Sequence, residues 1–237
     1  MADPFIKKVI AAYGGADNSF AYSKERWPAA AGIADQVCEL LEVATPARIL
    51  DLACGSGSCT TALALKGFDV TGIDCTPSRI KVARRMSKEK QAPVQWLCKD
   101  IRHIDYEEEF DCVCLLDVIF GIFESEEEDR ELIRRIAAAL KVNGRCLFEV
   151  YNREFALKHG VEGKAFFDQQ TGTFASRERG GCTLSMRLYS HEEWRLMLKR
   201  EGLRVIKMGG WWTWPGDPQP PPWRADFIVA QKDRPDR

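Results

Sequence analysis

The sequence lacks both an excess of charge of either sign and long apolar runs. Its 237 residues carry 34 Lys and Arg against 35 Asp and Glu, a formal net charge of -1. This balance gives no overall attraction to nucleic acid or to an acidic membrane surface. No stretch approaches the ~20 apolar residues of a membrane helix, and the N-terminal MADPFIKKVI has no apolar signal-peptide core. We therefore expect a soluble, cytoplasmic protein with no membrane or nucleic-acid partner.

The sequence also lacks the cysteine spacings of a metal site. Among its nine cysteines there is no C-x-x-C pair, and no Cys–His cluster has zinc-finger spacing. An odd number excludes complete internal disulfide pairing, and most of these cysteines stand in apolar, strand-like runs. A free cysteine packs there as a small apolar side chain. The sequence therefore favours reduced thiols and no metal ion over a metal site.

The composition is that of a globular protein, and the middle of the chain alternates apolar runs with helical patterns. Hydrophobic residues make up 45% and charged residues 29%, which excludes a collagen-like or disordered chain. Runs of strand length stand at residues 47–53, 68–74, 94–100, 110–117 and 145–151. Nearly continuous apolar strands separated by helices indicate a parallel sheet covered on both faces. The predicted fold class is therefore α/β, with a doubly wound, Rossmann-like sheet.

Two helices of this central region have specific expected features. The helix that follows residue 75 should bury Ile80, Val82 and Ala83, with Thr76 and Pro77 at its start. The helix with an acidic beginning, ESEEEDRELIRRIAAALKVNG, is expected to end at Gly144.

The flanking regions are less regular. Residues 1–44 look helical, whereas 151–190 carry mixed signals, including a QQTGTF turn and a turn at Gly180-Gly181 between expected strands. Residues 191–237 predict a helix stopped by Gly202 and two closing strands. Between those strands lies GWWTWPGDPQPPPWR, which is too rich in proline and tryptophan to be regular. No repeat and no clear linker interrupts the chain, so we expect a single domain.

A glycine-rich turn carries the strongest functional signal. Asp51 stands inside the first strand, Gly55 and Gly57 follow it, and Asp74 ends the second strand. Glycines let a ligand approach the backbone, and a carboxylate about 20 residues after the loop suits a ribose diol. NAD and S-adenosylmethionine both carry that diol. Thr60 stands where a dinucleotide motif needs its third glycine, and Asp51 would repel a pyrophosphate, so the charges favour S-adenosylmethionine.

These motifs resemble those of the class I S-adenosylmethionine-dependent methyltransferases. The segments LDLACGSG, VTGID and CKDI carry the resemblance. LLDVIFGIF resembles a segment of a small-molecule subgroup, with Ile122 in place of a tyrosine, and LYSHEEWRLMLKREGLRV resembles the subgroup's late helix and strand. The resemblance implies a seven-stranded, mostly parallel sheet with an antiparallel last strand. It also implies a helical cap (1–44), a cofactor-binding core (45–150), a β insertion on the substrate side (151–190) and a C-terminal helix with a closing hairpin (191–237).

The resemblance also implies which residues contact the cofactor. The expected contacts are the Ala53 backbone, Gly55 and Gly57 at the methionine moiety, Asp74 at the ribose, Cys75, Asp100 and Ile101 at the adenine, Asp117 and Val118 between cofactor and substrate, and Tyr13, Tyr22 and Arg26 over the methionyl tail. Cys54 and Asp51 are expected beside the cofactor as well, with Asp51 suited to its cationic groups. Each acid also has a purely structural interpretation. Asp51 could cap the loop amides, Asp74 the following helix, and Asp100 a strand-end turn.

The substrate side offers candidates for catalysis and recognition. A base is needed only if the nucleophile starts protonated; the candidates are Asp117, Tyr151, Glu149 and His159, with His103 and His191 read as structural. Aromatic faces attract cations. The expected substrate contacts are Trp27, Phe120, Trp211, Trp212, Trp214 and Arg224, beside a further Trp223. They favour an amine acceptor over a hydroxyl or a carbon, although the rings could equally pack the closing hairpin.

Other functions stay open from the sequence. A tRNA or protein methyltransferase, a nucleotide-dependent oxidoreductase of similar fold and a non-catalytic S-adenosylmethionine-binding module share this kind of core. The basic run Arg84-Arg85 is expected on a solvated helix face rather than at a nucleic-acid interface. We expect a monomer or a homodimer that acts on a small-molecule methyl acceptor.

Overall fold

The computed structural model describes residues 3–13, 16–159, 165–168, 172–177, 183–209 and 225–234. In chain order its elements are α1 (Pro4–Tyr13), α2 (Ala16–Leu41), β1 (Arg48–Leu52), α3 (Ser58–Leu65), β2 (Asp69–Asp74), α4 (Pro77–Glu89), β3 (Val94–Cys98), a 3-10 turn (Ile101–His103), β4 (Phe110–Leu115), α5 (Glu126–Ala139), β5 (Leu140–Tyr151), α6 (Arg153–His159), β6 (Ala165–Asp168), β7 (Thr173–Arg177), β8 (Thr183–Arg187), α7 (His191–Arg200), β9 (Leu203–Met208) and β10 (Ala225–Lys232).

A seven-stranded sheet organises these elements in the order β3-β2-β1-β4-β5-β10-β9. Strands β1 to β5 pair in parallel, whereas β10 is antiparallel to both of its neighbours. The predicted fold class is confirmed, including the single reversed strand. Because β1 to β5 run the same way, their carboxyl ends meet at one edge of the sheet, where ligands bind in open α/β sheets.

Both faces of the sheet are covered, which explains the apolar strands. In β1, Leu50 joins a core cluster that packs under α5 and α7, whereas Ile49 joins the cluster under α2 and α3. Both side chains are fully buried. Period-two alternation thus sends successive apolar residues to opposite helical layers.

The two central helices match their predicted features in part. Ile80 and Ala83 of α4 are buried as expected, whereas Val82 is only half-buried. The prediction that the acidic helix ends at Gly144 is wrong, because α5 already ends at Ala139. Leu140 takes an extended conformation and pairs with Phe110 of β4, so sheet pairing takes over the last residues of the helical pattern.

The segment after β5 folds partly as a small separate sheet. It begins with α6, a helix that the sequence did not predict, and continues as an antiparallel sheet in the order β6-β7-β8. The expected turn at Gly180-Gly181 lies outside the described residues. The small sheet touches the loop after β4 closely, because the Arg187 amide donates to the Gly121 carbonyl over 2.8 Å. A Cβ on Gly121 would stand 2.1 Å from the Arg187 carbonyl oxygen, so only glycine fits there.

In the described part of the chain, no helix combines the length and apolar character needed to cross a membrane. Within the same residues, no group of three or more His, Cys, Asp or Glu side chains is placed to hold a metal ion. The cysteines that the structure describes are all free thiols.

Candidate functional site

The carboxyl ends of β1 and β4 hold a cluster of left-handed backbone conformations. Ala53 has a φ of 54°, Asp117 of 68° and Val118 of 48°. Such values are uncommon for residues other than glycine and collect at functional sites, where the surrounding structure enforces them. The residues predicted to face the cofactor therefore include three that the fold holds in strained geometry.

The two glycines of the loop after β1 are needed for different reasons. A Cβ on Gly57 would stand 2.2 Å from the indole of Trp96, so this glycine is required by packing. At Gly55, with a φ of 58°, a Cβ would meet only a guanidinium nitrogen of Arg79, at 3.5 Å. Gly55 therefore faces a more open space that a ligand could approach. Arg79 was missed by the sequence reasoning, although its place in the first turn after β2 puts it at this edge.

Asp74 at the end of β2 joins the glycine loop to the start of α4. Its Oδ2 accepts from the Gly55 amide over 2.9 Å, and its Oδ1 accepts from the Thr76 amide over 2.8 Å. The side chain is 5% exposed. A carboxylate offers about four acceptor positions, so these two bonds leave room for two hydroxyl donors. The helix-capping interpretation of Asp74 is therefore compatible with a ligand role.

Asp51 is buried in β1, and its partner is Thr60. The Thr60 hydroxyl donates to Asp51 Oδ2, a side-chain bond that differs from the alternative in which Asp51 caps the loop amides. Burial raises the pKa of Asp51 to about 7; the Thr60 bond lowers it and the nearby charge of Asp74 raises it. Thr60, which stands where a dinucleotide motif has glycine, thus supplies the hydrogen bond to the buried Asp51 carboxylate. The sequence showed the substitution but not this partner.

The Asp100 carboxylate is hydrogen-bonded to Arg102. Its Oδ1 accepts from the Arg102 amide, and its Oδ2 accepts from the Arg102 Nε and Nη2, over 2.8–2.9 Å. Arg102 also pairs with Asp3, which directly precedes α1, and with Glu128 of α5. The carboxylate therefore caps the 3-10 turn and anchors Arg102. This arrangement matches the structural interpretation of Asp100 and leaves its predicted adenine contact as a proposal.

Asp117 follows β4, beside a buried carboxylate of β5. Its amide donates to Glu149 Oε2 over 2.7 Å, and Glu149 is 4% exposed. This bond fixes the backbone where the left-handed conformations of Asp117 and Val118 begin. Glu149 is therefore placed as a positioning residue for the loop between β4 and the substrate side.

The other predicted cofactor contacts that the structure describes lie near this edge. Cys54 and Cys75 are half-buried, and Ile101 is buried in the core. Burial raises the pKa of Cys75 to about 12 and that of Cys54 far above its usual value, so both thiols are neutral. They can contribute apolar surface to a bound ring but no charge.

The predicted substrate residues are placed less favourably. Phe120 is 5% exposed and stacks on Trp194 with ring centroids 4.5 Å apart, so it packs the core. Trp27 lies beside Lys90, which directly follows α4. This end of α4 leads to the start of β3. Neither placement supports substrate contact. Tyr151 is half-buried at the end of β5 and pairs with Ala225.

The histidines that the structure shows have structural surroundings. His191 Nε2 lies 2.8 Å from Asp226 Oδ2, at the start of α7, and the His103 side chain is 67% exposed. The basic run lies on α4, where Arg84 donates to the Trp96 carbonyl and Arg85 pairs with Glu89.

Several predicted residues lie outside the part of the chain that the structure describes. Tyr13, Tyr22, Arg26 and His159 belong to helices whose side chains are not described at these positions. Trp211, Trp212, Trp214, Trp223 and Arg224 fall between β9 and β10, outside the described residues. Their predicted roles stay predictions.

A known protein family matches the part of the chain that holds the glycine loop. Residues 49–144, from β1 to the start of β5, match the family model described as a methyltransferase domain. This part of the chain is therefore similar to a methyltransferase domain. The glycine loop, Asp51, Asp74, Asp100 and Asp117 all fall within the matched residues.

Two curated relatives match this chain over different shares of its length. YqeM of Bacillus subtilis (strain 168) is 32% identical over 57% of this chain and 55% of its own length. A ubiquinone biosynthesis O-methyltransferase of Rickettsia conorii (strain ATCC VR-613 / Malish 7) is 34% identical over 45% of this chain and 35% of its own. These curated relatives are therefore matched over about half of their length or less.

A solved structure shows that the fold likeness reaches beyond the family match. An S-adenosylmethionine-dependent methyltransferase from Clostridium acetobutylicum ATCC 824 superposes with a TM-score of 0.69 at 15% identity, over 93% of this chain and all of that one. At this identity the likeness shows the fold alone.

Proposed function

We propose that this protein transfers a methyl group from S-adenosylmethionine to a small-molecule acceptor. The observation that carries the proposal is the Asp74 carboxylate, which two backbone amides hold in place while two of its acceptor positions stay available. Fixed acceptors that need no rearrangement suit a vicinal diol. Gly55 beside it, with its open Cβ direction, would let the methionine moiety approach the backbone.

The buried carboxylate of Asp51 favours this cofactor over a dinucleotide. A pyrophosphate beside Asp51 would add negative charge next to a buried acid, whereas the ammonium and sulfonium groups of S-adenosylmethionine would stabilise its ionised form. When bound, S-adenosylmethionine supplies an electrophilic methyl carbon. The protein then needs to orient the acceptor atom in line with that carbon and to exclude water.

The loop that begins at Asp117 is placed to serve the acceptor. Glu149 holds the Asp117 amide, so the carboxyl group of Asp117 starts from a fixed backbone between the cofactor edge and the substrate side. We propose that Asp117, with Tyr151 and His159 as further candidates, takes the proton from an acceptor that starts protonated. We further propose that the cap, core, insertion and closing hairpin act as one domain.

The acceptor atom is proposed to be an amine nitrogen. The tryptophan-rich segment between β9 and β10 supports this choice, because aromatic faces attract cationic and alkylated amines. The O-methyltransferase name of the Rickettsia conorii relative speaks for a hydroxyl instead. Matched amine and alcohol acceptors, compared by release of S-adenosylhomocysteine, separate the two; faster release with the alcohols would reverse the choice.

Titration calorimetry with S-adenosylmethionine and with NAD tests the cofactor. We expect micromolar binding of S-adenosylmethionine and no binding of NAD. Tight NAD binding without S-adenosylmethionine binding would favour an oxidoreductase and overturn the proposal. Binding of S-adenosylmethionine with no release of S-adenosylhomocysteine from any acceptor would identify a non-catalytic module.

A further inference from the structure

A cavity of about 120 Å³ lies between α1, the loop after β4 and the small sheet. It lies beside the loop after β4, which begins at Asp117, the residue proposed above to serve the acceptor. An apolar cavity of roughly 150 Å³ holds a benzene molecule. The space therefore suits one aromatic ring of a small molecule, with a substituent reaching its polar side.

One wall of the cavity is aromatic. Phe5 of α1 and Phe123 of the loop stand with ring centroids 5.7 Å apart at 59°. The Arg102 guanidinium lies 4.5 Å from the Phe5 ring centroid, and Arg102 pairs with Asp3, so α1 is held in place over the cavity. A planar apolar ligand would find a fixed surface there.

The opposite wall is polar because of the register of the small sheet. Thr173 of β7 pairs with Arg187 of β8, so the two side chains point to the same face. Ser185, two residues before Arg187, points to that face as well. All three line the cavity. Two hydroxyls and a guanidinium on one face can donate several hydrogen bonds to one acidic group.

The two cationic side chains of the cavity, Arg187 and Lys8, differ in whether carboxylates already form ion pairs with them. Arg187 Nη1 lies 2.9 Å from the fully buried Asp129, which also accepts from Tyr189, and its Nε lies 3.7 Å from Glu126. The ion pairs among the described residues include Arg187 but not Lys8, whose side chain also lines the cavity. Lys8 thus brings a positive charge with which no carboxylate of the described residues forms an ion pair. Lys8 and the acidic lining residue Glu124 are both exposed at the mouth of the cavity.

We infer that this cavity binds the ring and carboxylate of an aromatic methyl acceptor, with Lys8 and the Thr173–Ser185–Arg187 face recognising the carboxylate. The inference rests on the proposed methyl transfer and adds a substrate class to it. The amine favoured above would then be carried on an aromatic acid.

Ligand-observed NMR titration of the full chain, saturated with S-adenosylhomocysteine, tests the inference with benzoate and benzyl alcohol. We expect benzoate to bind at least about tenfold more tightly than benzyl alcohol. Lys8→Gln should weaken benzoate binding about fivefold or more and leave benzyl alcohol unchanged. Glu124→Gln should strengthen benzoate binding slightly. Lys7→Gln, on an exposed neighbour outside the cavity, is the matched control and should change nothing.

The outcomes separate this inference from the proposed function. Benzoate that binds no better than benzyl alcohol, or an equal response of Lys8→Gln and Lys7→Gln, overturns the carboxylate site. In those cases, tight S-adenosylhomocysteine binding in the same samples leaves the proposed methyl transfer standing. If benzoate binds with the expected preference but S-adenosylhomocysteine does not bind at all, the site stands as a carboxylate site and the proposed function fails.

Discussion

The proposed cofactor edge and the proposed acceptor side of this molecule are built in opposite ways. At the cofactor edge, Asp51, Gly55, Thr60 and Asp74 come from one short stretch of chain, and the bonds between them span 9 and 19 residues. On the acceptor side, the pair between Asp3 and Arg102 joins residues 99 apart. The cavity there brings together α1, the loop after β4 and two strands of a separate sheet.

The difference shows which kind of site a single sequence can reveal. A site made by one strand–loop–helix–strand unit has its spacing written in the chain. A site assembled from distant segments depends on packing, and its residues have no local signature.

Gly57→Ala should have the largest effect, on stability. Its Cβ would stand 2.2 Å from Trp96, and the backbone φ is 76°. A left-handed alanine costs about 1–2 kcal/mol, and overpacking costs about 1–3 kcal/mol. We expect a loss of about 2–5 kcal/mol in the free energy of unfolding, measured in urea.

Gly55→Ala is the matched control for that experiment. Its backbone is also left-handed, but its Cβ meets only Arg79, so we expect a loss of about 1–2 kcal/mol. Its affinity for S-adenosylmethionine should fall at least tenfold. If Gly55→Ala destabilises the fold as much as Gly57→Ala, the division between a packing glycine and a ligand-facing glycine is wrong.

Asp74→Ala should have the next largest effect, on cofactor binding. Two charge-assisted hydrogen bonds to a ribose diol are together worth about 3 kcal/mol or more. We therefore expect the affinity for S-adenosylmethionine to fall about 100-fold or more in titration calorimetry. Asp69→Ala, at the exposed start of the same strand, should leave the affinity unchanged. An unchanged affinity in Asp74→Ala would remove the ribose assignment.

Arg102→Ala tests the ion pairs that link the two regions. The substitution removes ion pairs with Asp3, Asp100 and Glu128 and leaves three carboxylates without their cation. We expect a loss of about 2–3 kcal/mol, and faster hydrogen exchange in α1 than elsewhere. Arg85→Ala, which breaks an exposed pair with Glu89, should cost less than about 0.5 kcal/mol. Equal protection of α1 in Arg102→Ala and in the unchanged protein would mean that Arg102 does not hold it.

The pH dependence of cofactor affinity should give the smallest effect. Burial raises the pKa of Asp51 to about 7, so the folded protein keeps its proton until that pH. A cationic ligand favours the ionised form. Affinity should therefore rise with pH through this range, by at most tenfold per pH unit, with release of a proton.

The raised pKa of Asp51 also determines how the free energy of unfolding depends on pH. Because the pKa of Asp51 is higher in the folded than in the unfolded chain, its stabilising contribution is complete below about pH 4 and is lost as pH rises through about 7.

The proton released when the cofactor binds is measured by calorimetry in buffers of different ionisation enthalpy. Asp51→Asn is expected to abolish this release, and persistence of the full release in that variant would exclude Asp51 as its source.

The cofactor edge was predictable for a physical reason, and much of the rest was not. Strand burial on both faces and the glycine loop made the sheet and the positions of Asp51, Gly55 and Asp74 readable from local pattern. The end of α5 was not, because the pairing of Leu140 with Phe110 decides it. The Arg102 pair that occupies Asp100, the packing of Phe120 on Trp194 and the partner of Asp51 all depend on contacts that no periodicity records.

A crystal structure of the complex with S-adenosylhomocysteine tests the central claim most directly. We expect both ribose hydroxyls to lie within hydrogen-bond distance, about 2.6–3.0 Å, of the Asp74 carboxylate oxygens. The methionyl tail should lie along Gly55, toward Asp51. A ribose held by another carboxylate, or a ligand seated away from the ends of β1 and β2, would contradict the account.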